Sequence, residues 1–381
     1  MLGYGHQYID DSDISAVIAV LKSDFLTQGP AVERFEQEIC RITGAKYCVA
    51  VSNATSGLHI AVASLGLGAQ VEGITTPNTF LSSANCMIYN DIKPVFVDIN
   101  PKTYNIDPAE IEKHITDKTK LIIPVHFAGL PCDMEIISQI AKKNRLFVIE
   151  DAAHAIGSQY ADGTYVGNCK YSDMTVFSFH PVKTITTGEG GAVTTNNEDL
   201  YKKLIMLRSH GTTKNPEMLT ANPGPWYYEM QMLGFNSRMT DIQGALGFSQ
   251  LRKLPFFKKR RREIVAKYNQ AFSGMQYLKT PYEPADISSC FHLYTVQIDF
   301  NALGKNRSQV MKELRERGVG SQVHYIPVPS QPYYKKAFGY KAEDYPKAKT
   351  YYEKTLSLPL FPGMTDSDII TVINAVKEIV K

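Results

Sequence analysis

Short apolar runs at residues 47–51, 71–75, 94–97, 120–126, 146–150, 174–179 and 191–194 alternate with stretches of helical period at 56–65, 79–89, 108–115 and 134–143. No other feature limits the fold so strongly. Strands that alternate with helices imply a largely parallel sheet covered on both faces. Such sheets bind ligands beyond the carboxyl ends of their strands. The polar residues that follow each run are therefore the candidates for chemistry.

After the first run come Ser52, Asn53, Ala54, Thr55, Ser56 and Gly57, small residues that enter a helix. The first N–H groups of a helix lack partners, so this end suits a phosphate. Read alone, it serves equally as a plain helix cap. After the second run, Phe80 sits at a strand-to-helix corner, placed to lie over a flat ring or to join the core. The fifth run ends in Glu150-Asp151-Ala152-Ala153-His154. Ionised groups are costly to bury without partners. Asp151 at the sheet edge can pair with a protonated ring nitrogen or cap a helix, and His154 is expected one helical turn on. The sixth run breaks at His180-Pro181, since proline lacks an N–H and restrains its predecessor. A single lysine, Lys183, follows among Thr184, Thr186, Thr187, Gly188, Gly190 and Gly191. A lysine in a tight turn of hydroxyls and glycines suggests an amine used for chemistry, although this stretch read alone fits a surface lysine in a polar turn better. Gly188-Glu189-Gly190-Gly191 is no dinucleotide fingerprint: its spacing is wrong and it precedes a strand.

The flanks are simpler. A helix over 12–23 with cap candidates Asp11, Ser12 and Asp13 leads to the turn Leu26-Thr27-Gln28-Gly29-Pro30 and a second helix to residue 43. Beyond the sheet, helices are expected at 200–209 and 241–251, with a long loop or flap from Ser209 to Trp226. Pro255 marks the expected boundary between a large domain, 1–252, and a smaller α+β domain, 253–381. The latter should hold helices at 256–272, 307–317, 346–354 and 367–381, with strands at 294–298 and 320–323. Its basic run, Lys258 to Arg262, reads as a solvated helix face, because 41 basic against 38 acidic residues leave a net charge of only +3. No nucleic-acid or membrane partner is expected, and no leader or membrane-length apolar stretch is visible. The six cysteines are scattered, with no C-x-x-C pair, which points to a reducing, cytoplasmic setting and to no metal site.

Taken together, Asn53-Ala54-Thr55-Ser56, Thr76-Pro77-Asn78-Thr79-Phe80, Glu150-Asp151-Ala152-Ala153-His154, Ser178-Phe179-His180-Pro181-Val182-Lys183 and Gly188-Glu189-Gly190-Gly191 resemble the motifs of the DegT-type nucleotide-sugar aminotransferases. Ser209-His210-Gly211 and Asn236-Ser237-Arg238-Met239 are similar too, and the likeness runs the length of the chain. It implies pyridoxal 5'-phosphate as cofactor and the fold type I architecture: a mixed, mostly parallel seven-stranded sheet between helices, with a smaller C-terminal domain. Tyr4, the Leu26-Thr27-Gln28-Gly29 turn and Gln322-Val323-His324-Tyr325 resemble the pseudaminic-acid-type members, which aminate C4 of a UDP-4-keto-6-deoxy-N-acetylhexosamine.

The resemblance implies a role for each matching residue. Lys183 would join the cofactor aldehyde as a Schiff base and then act as base and acid of the proton shift. Asp151 would keep the pyridine nitrogen protonated, so that the ring can take up an electron pair. His154 would touch the cofactor's 3-oxygen, where many relatives carry glutamine. Phe80 would stack on the ring, and Ala54, Thr55 and Ser178 would hold the phosphate. Asn236 would reach the phosphate of a neighbouring subunit, which implies a homodimer with active sites at its interface. Tyr4, Thr27, His324 and Tyr325 would contact the sugar nucleotide, and L-glutamate would donate the amine. The alternatives are an aminotransferase for another UDP- or dTDP-linked keto sugar, of bacillosamine or perosamine type, and a non-catalytic regulatory protein that binds the cofactor. Lys183 argues against a sugar dehydratase of the same family, which has histidine there. No cysteine lies in a loop matching that of a desulfurase.

Overall fold

A computed structural model describes residues Met1–Lys381. Two helices, α1 (Asp11–Leu21) and α2 (Pro30–Thr43), precede the main sheet. The sheet strands are β1 (Tyr47–Val51), β2 (Glu72–Thr75), β3 (Lys93–Phe96), β4 (Thr119–Ile123), β5 (Phe147–Asp151), β6 (Met174–Ser178) and β7 (Gly191–Thr195). Between them lie α3 (Ala54–Ser64), α4 (Ser82–Ile88), α5 (Pro108–Ile111) and α6 (Met134–Asn144). The strand order is β1-β7-β6-β5-β4-β2-β3. Only β7 runs against the others, pairing antiparallel with both β1 and β6. Buried side chains pack on both faces. Phe35, Val148 and Phe177 belong to one core cluster, and Leu58, Ile149 and Val176 belong to another.

After the sheet come α7 (Glu198–Arg208), a two-stranded hairpin of β8 (Thr212–Thr213) and β9 (Glu229–Met230), α8 (Asp241–Arg252) and α9 (Leu254–Phe272). A three-stranded antiparallel sheet, ordered β10-β11-β12, is built from β10 (Leu278–Lys279), β11 (Tyr294–Ile298) and β12 (Thr355–Leu358). Helices α10 (Arg307–Glu316), α11 (Pro332–Phe338), α12 (Pro346–Lys354) and α13 (Asp366–Ile379) complete the chain. Pro255 stands in the first turn of α9, where its missing N–H costs nothing. That helix crosses between cores: Leu254 and Phe257 pack with the sheet, while Ile264, Tyr268 and Phe272 pack with the C-terminal strands.

Several expected elements differ. The strand expected at 320–323 is absent, with only single bridges at Val319 and Gln322; β11 pairs instead with β10 and β12. The helix expected from residue 79 starts at Ser82, so Thr79 and Phe80 stay in the turn that faces the strand ends. The long flap carries the β8–β9 pairing. Residues 152–157 form turns rather than a helix, so His154 reaches its place without one.

Candidate active site

The strand ends converge as the parallel topology requires. Asp151 closes β5, and the period of two places it and Glu150 on opposite faces. Glu150 is fully buried and accepts from His126 Nε2 at 2.7 Å, Tyr160 Oη at 2.5 Å, Ser172 Oγ at 2.5 Å and Thr175 Oγ1 at 3.0 Å. Burial alone would raise its pKa, but these hydrogen bonds, that of His126 foremost, hold it below the ordinary carboxylate range. The Cys132 N–H occupies His126 Nδ1 at 3.0 Å, so the His126 proton sits on Nε2 and points at Glu150. Glu150 is thus a satisfied core group. Asp151 turns the other way, into a cavity of about 750 Å³. Its Oδ2 accepts from Ser83 Oγ at 2.6 Å, and its Oδ1 from the Ala153 N–H at 3.0 Å.

Lys183 lines the same cavity from the turn after β6. Burial lowers its pKa to about 8, partly opposed by the charge of Asp151. At neutral pH roughly a tenth of the amine is therefore free to act as nucleophile or base, far more than for an ordinary lysine.

A third edge is built by register. Gly191, the first residue of β7, stands opposite both Val51 and Ser178. It also lies against the start of α3, where a Cβ at 191 would come within 2.7 Å of Ala54 N. Only glycine permits that approach. The α3 N-cap, Asn53, accepts from Ser56 N–H at 2.8 Å, while the Ala54 and Thr55 N–H groups have no protein acceptor. Thr55 Oγ1 lies 2.7 Å from Ser82 Oγ. Free N–H donors at the N-terminus of an 11-residue helix, beside small hydroxyls, make an anion cradle.

Of the residues singled out in the sequence, Tyr4, Ala54, Thr55, Phe80, Asp151, His154, Ser178, Lys183, His324 and Tyr325 all line this cavity. Phe80 is 57% exposed, so it is a wall residue and not a core aromatic. Thr27 and Asn236 stand outside the cavity of a single chain; Thr27 bridges to Thr240 and Asn236 to Ser209. His292 went unnoticed in the sequence. It is 4% exposed, its ring centroid lies 4.4 Å from that of His154, and its Nδ1 has no partner. Nothing in Phe291-His292-Leu293 marks it, because the fold alone brings it there. Ser83 was missed too, although Thr79 and Ser83 share a four-residue spacing and their hydroxyls meet at 2.7 Å. A larger cleft, about 950 Å³ and lined by Arg41, Lys258 and Arg262, lies elsewhere and holds none of these groups.

The cavity fits pyridoxal phosphate: an amine of lowered pKa, a carboxylate beside it and a cradle of free N–H groups at the carboxyl edge of a mostly parallel sheet. Fold and site together define a pyridoxal-phosphate-dependent aminotransferase of fold type I. The chain belongs to the DegT/DnrJ/EryC1/StrS aminotransferase family, whose profile matches residues 7–377. It is 43% identical over 381 residues to the spore coat polysaccharide biosynthesis protein SpsC of Bacillus subtilis, covering 100% of this chain and 97% of that one. Its structure is similar to that of Helicobacter pylori PseC, an aminotransferase involved in the biosynthesis of pseudoaminic acid, with a TM-score of 0.93 at 31% identity and coverage of 100% and 99%. It is also similar to the putative sugar aminotransferase Spr1654 of Streptococcus pneumoniae, solved in PMP and PLP forms. The TM-scores are 0.93 and 0.91 at 30% identity, covering 100% of this chain and 99% and 98% of those chains. The protein is a sugar aminotransferase that depends on pyridoxal phosphate.

Proposed function

We propose that this enzyme moves an amino group from L-glutamate to C4 of a UDP-linked 4-keto-6-deoxy-N-acetylhexosamine. The observation that carries the chemical part is the meeting of the Lys183 amine and the Asp151 carboxylate in one cavity. Bound pyridoxal phosphate supplies a carbonyl carbon for amines and a ring that takes up an electron pair. The protein supplies the rest. Ala54 and Thr55 N–H groups, with the Thr55 and Ser178 hydroxyls, bind the phosphate. Asp151 holds a proton on the ring nitrogen, and the hydrogen bonds from Ser83 and Ala153 fix its orientation. Phe80 covers one face and excludes water. The free Lys183 amine would tether the cofactor through its carbonyl carbon, with water leaving, and, once the donor's amine has displaced it, would carry the proton between carbons.

The choice of sugar is supported by the likeness to PseC and by Tyr4, His324 and Tyr325 in the cavity wall. An aminotransferase for a different keto sugar is the second reading, favoured by the 43% identity to SpsC. The active unit we propose is a homodimer in which Asn236 reaches the phosphate site of the second copy. Purified enzyme would be given glutamate and a panel of UDP- and dTDP-linked 4-keto sugars, with products assigned by NMR. Amination of the UDP-N-acetyl substrate above all others is expected. A preference for a dTDP sugar would support the second reading, and no product from any of them would sink both.

A further inference from the structure

A backbone N–H can only donate. That of Ala128 points at His154 Nδ1 from 3.2 Å, aimed there by a left-handed backbone at Ala128 with φ of 56°. His154 Nδ1 must therefore be unprotonated, and a neutral ring then carries its one proton on Nε2. Nε2 lies 3.0 Å from Tyr325 Oη. A flipped ring would put carbons at both positions and lose both hydrogen bonds. The Tyr325 oxygen is thus an acceptor, and its own proton points elsewhere. No protein group accepts that proton, and Tyr325 lines the cavity.

We infer that Tyr325 is a committed hydrogen-bond donor to an oxygen bound in the cavity, the last member of a one-way chain from Ala128 N–H through His154. The identity of that oxygen rests on the aminotransferase reading: the phenolic oxygen of the cofactor, which His154 would then reach through Tyr325 and not directly, or an oxygen of the sugar. Each link polarises the next, so the terminal O–H is a stronger donor than an isolated phenol. The surroundings keep the chain in this state. Lys183, His292 and His324 face His154. Burial, then the charges of Lys183 and His324, push the His154 pKa well below its ordinary value. Burial, then Asp151, raises that of Tyr325, so its hydroxyl stays protonated.

The test starts on cofactor-free protein labelled with ¹⁵N-histidine. Long-range proton–nitrogen spectra should show His154 as the Nε2–H tautomer, without titration from about pH 5 to pH 8, in both wild type and Tyr325→Phe. An Nδ1–H tautomer, or titration near the ordinary value of about 6.5, would overturn the inference. On loaded enzyme, loss of a donor to the cofactor oxygen in Tyr325→Phe should raise the pH midpoint of the visible absorbance band by about one unit or more. If the sugar oxygen is the acceptor, the midpoint should stay and the KM for the keto sugar should rise about tenfold with kcat little changed. If neither moves, Tyr325 is not a donor to either. The nuclear resonance result needs no turnover, so a wild type that aminates nothing would sink the proposed function while leaving the histidine assignment standing.

Discussion

The Lys183 amine forms no ion pair, and burial brings its pKa down to about 8. The capture of pyridoxal phosphate by cofactor-free enzyme, followed as the growth of its visible band, should therefore slow about tenfold per unit below pH 8 and level off above it. Capture that keeps accelerating beyond pH 10 would contradict the lowered pKa. Lys183→Ala should lack turnover while still holding the cofactor noncovalently through the phosphate cradle. Asp151→Asn should fold normally, with kcat reduced about a hundredfold or more. Near-wild-type kinetics in that variant would remove Asp151 from the chemistry. The sequence marks the carboxylate by its place at the end of an apolar run, and the lysine by the small residues around it taken together with the other motifs. That place picks Asp151, but does not say what becomes of Glu150 beside it. That follows from the pleat of β5, which hands one to His126 and Tyr160 and the other to the cavity.

Among the elements, α2 shows how local signals can be incomplete. Its N-cap is Gly29, which offers no side chain. The missing acceptor is Asp241 at the start of α8, which takes N–H groups of Gly29 at 2.7 Å and Ala31 at 2.8 Å. Asp241→Ala leaves those half-buried donors without partners. It should cost about 2–3 kcal/mol, read as a lower urea midpoint with an unchanged slope. A loss below about 0.5 kcal/mol would mean water replaces the carboxylate. The turn before α2 is legible from Gly29 and Pro30, but a cap supplied from more than 200 positions away is not. The basic run on α9 is similar. Arg260 reaches Asp366, Arg262 pairs with Glu283, and Arg261 is buried on the carbonyls of Phe291, His292 and Leu360. A solvated face was the natural reading of five consecutive cations, and three of them instead hold the C-terminal part in place.

For the whole molecule, large apolar side chains stand exposed on α1, at Ile14, Ile18 and Leu21, and around the β8–β9 hairpin, with Trp226 70% and Leu233 76% exposed. We expect these to be covered in the proposed homodimer. The double variant Trp226→Asp, Leu233→Asp should then sediment as a monomer and lose activity. Unchanged association would place the interface elsewhere. Because Trp226 is the only tryptophan, its emission should shift to longer wavelength as wild-type protein is diluted and the copies part. The sequence by itself determined the largely parallel sheet and placed a lysine and a carboxylate near its carboxyl edge, since those follow from local period and from residues adjacent in the chain. Only the tertiary structure decided the strand order, the approach of Gly191 to α3, the arrival of His292, and the direction of the hydrogen bonds through His154. Each of these depends on contacts between segments far apart in the chain, whose geometry is set by packing and not by local preference.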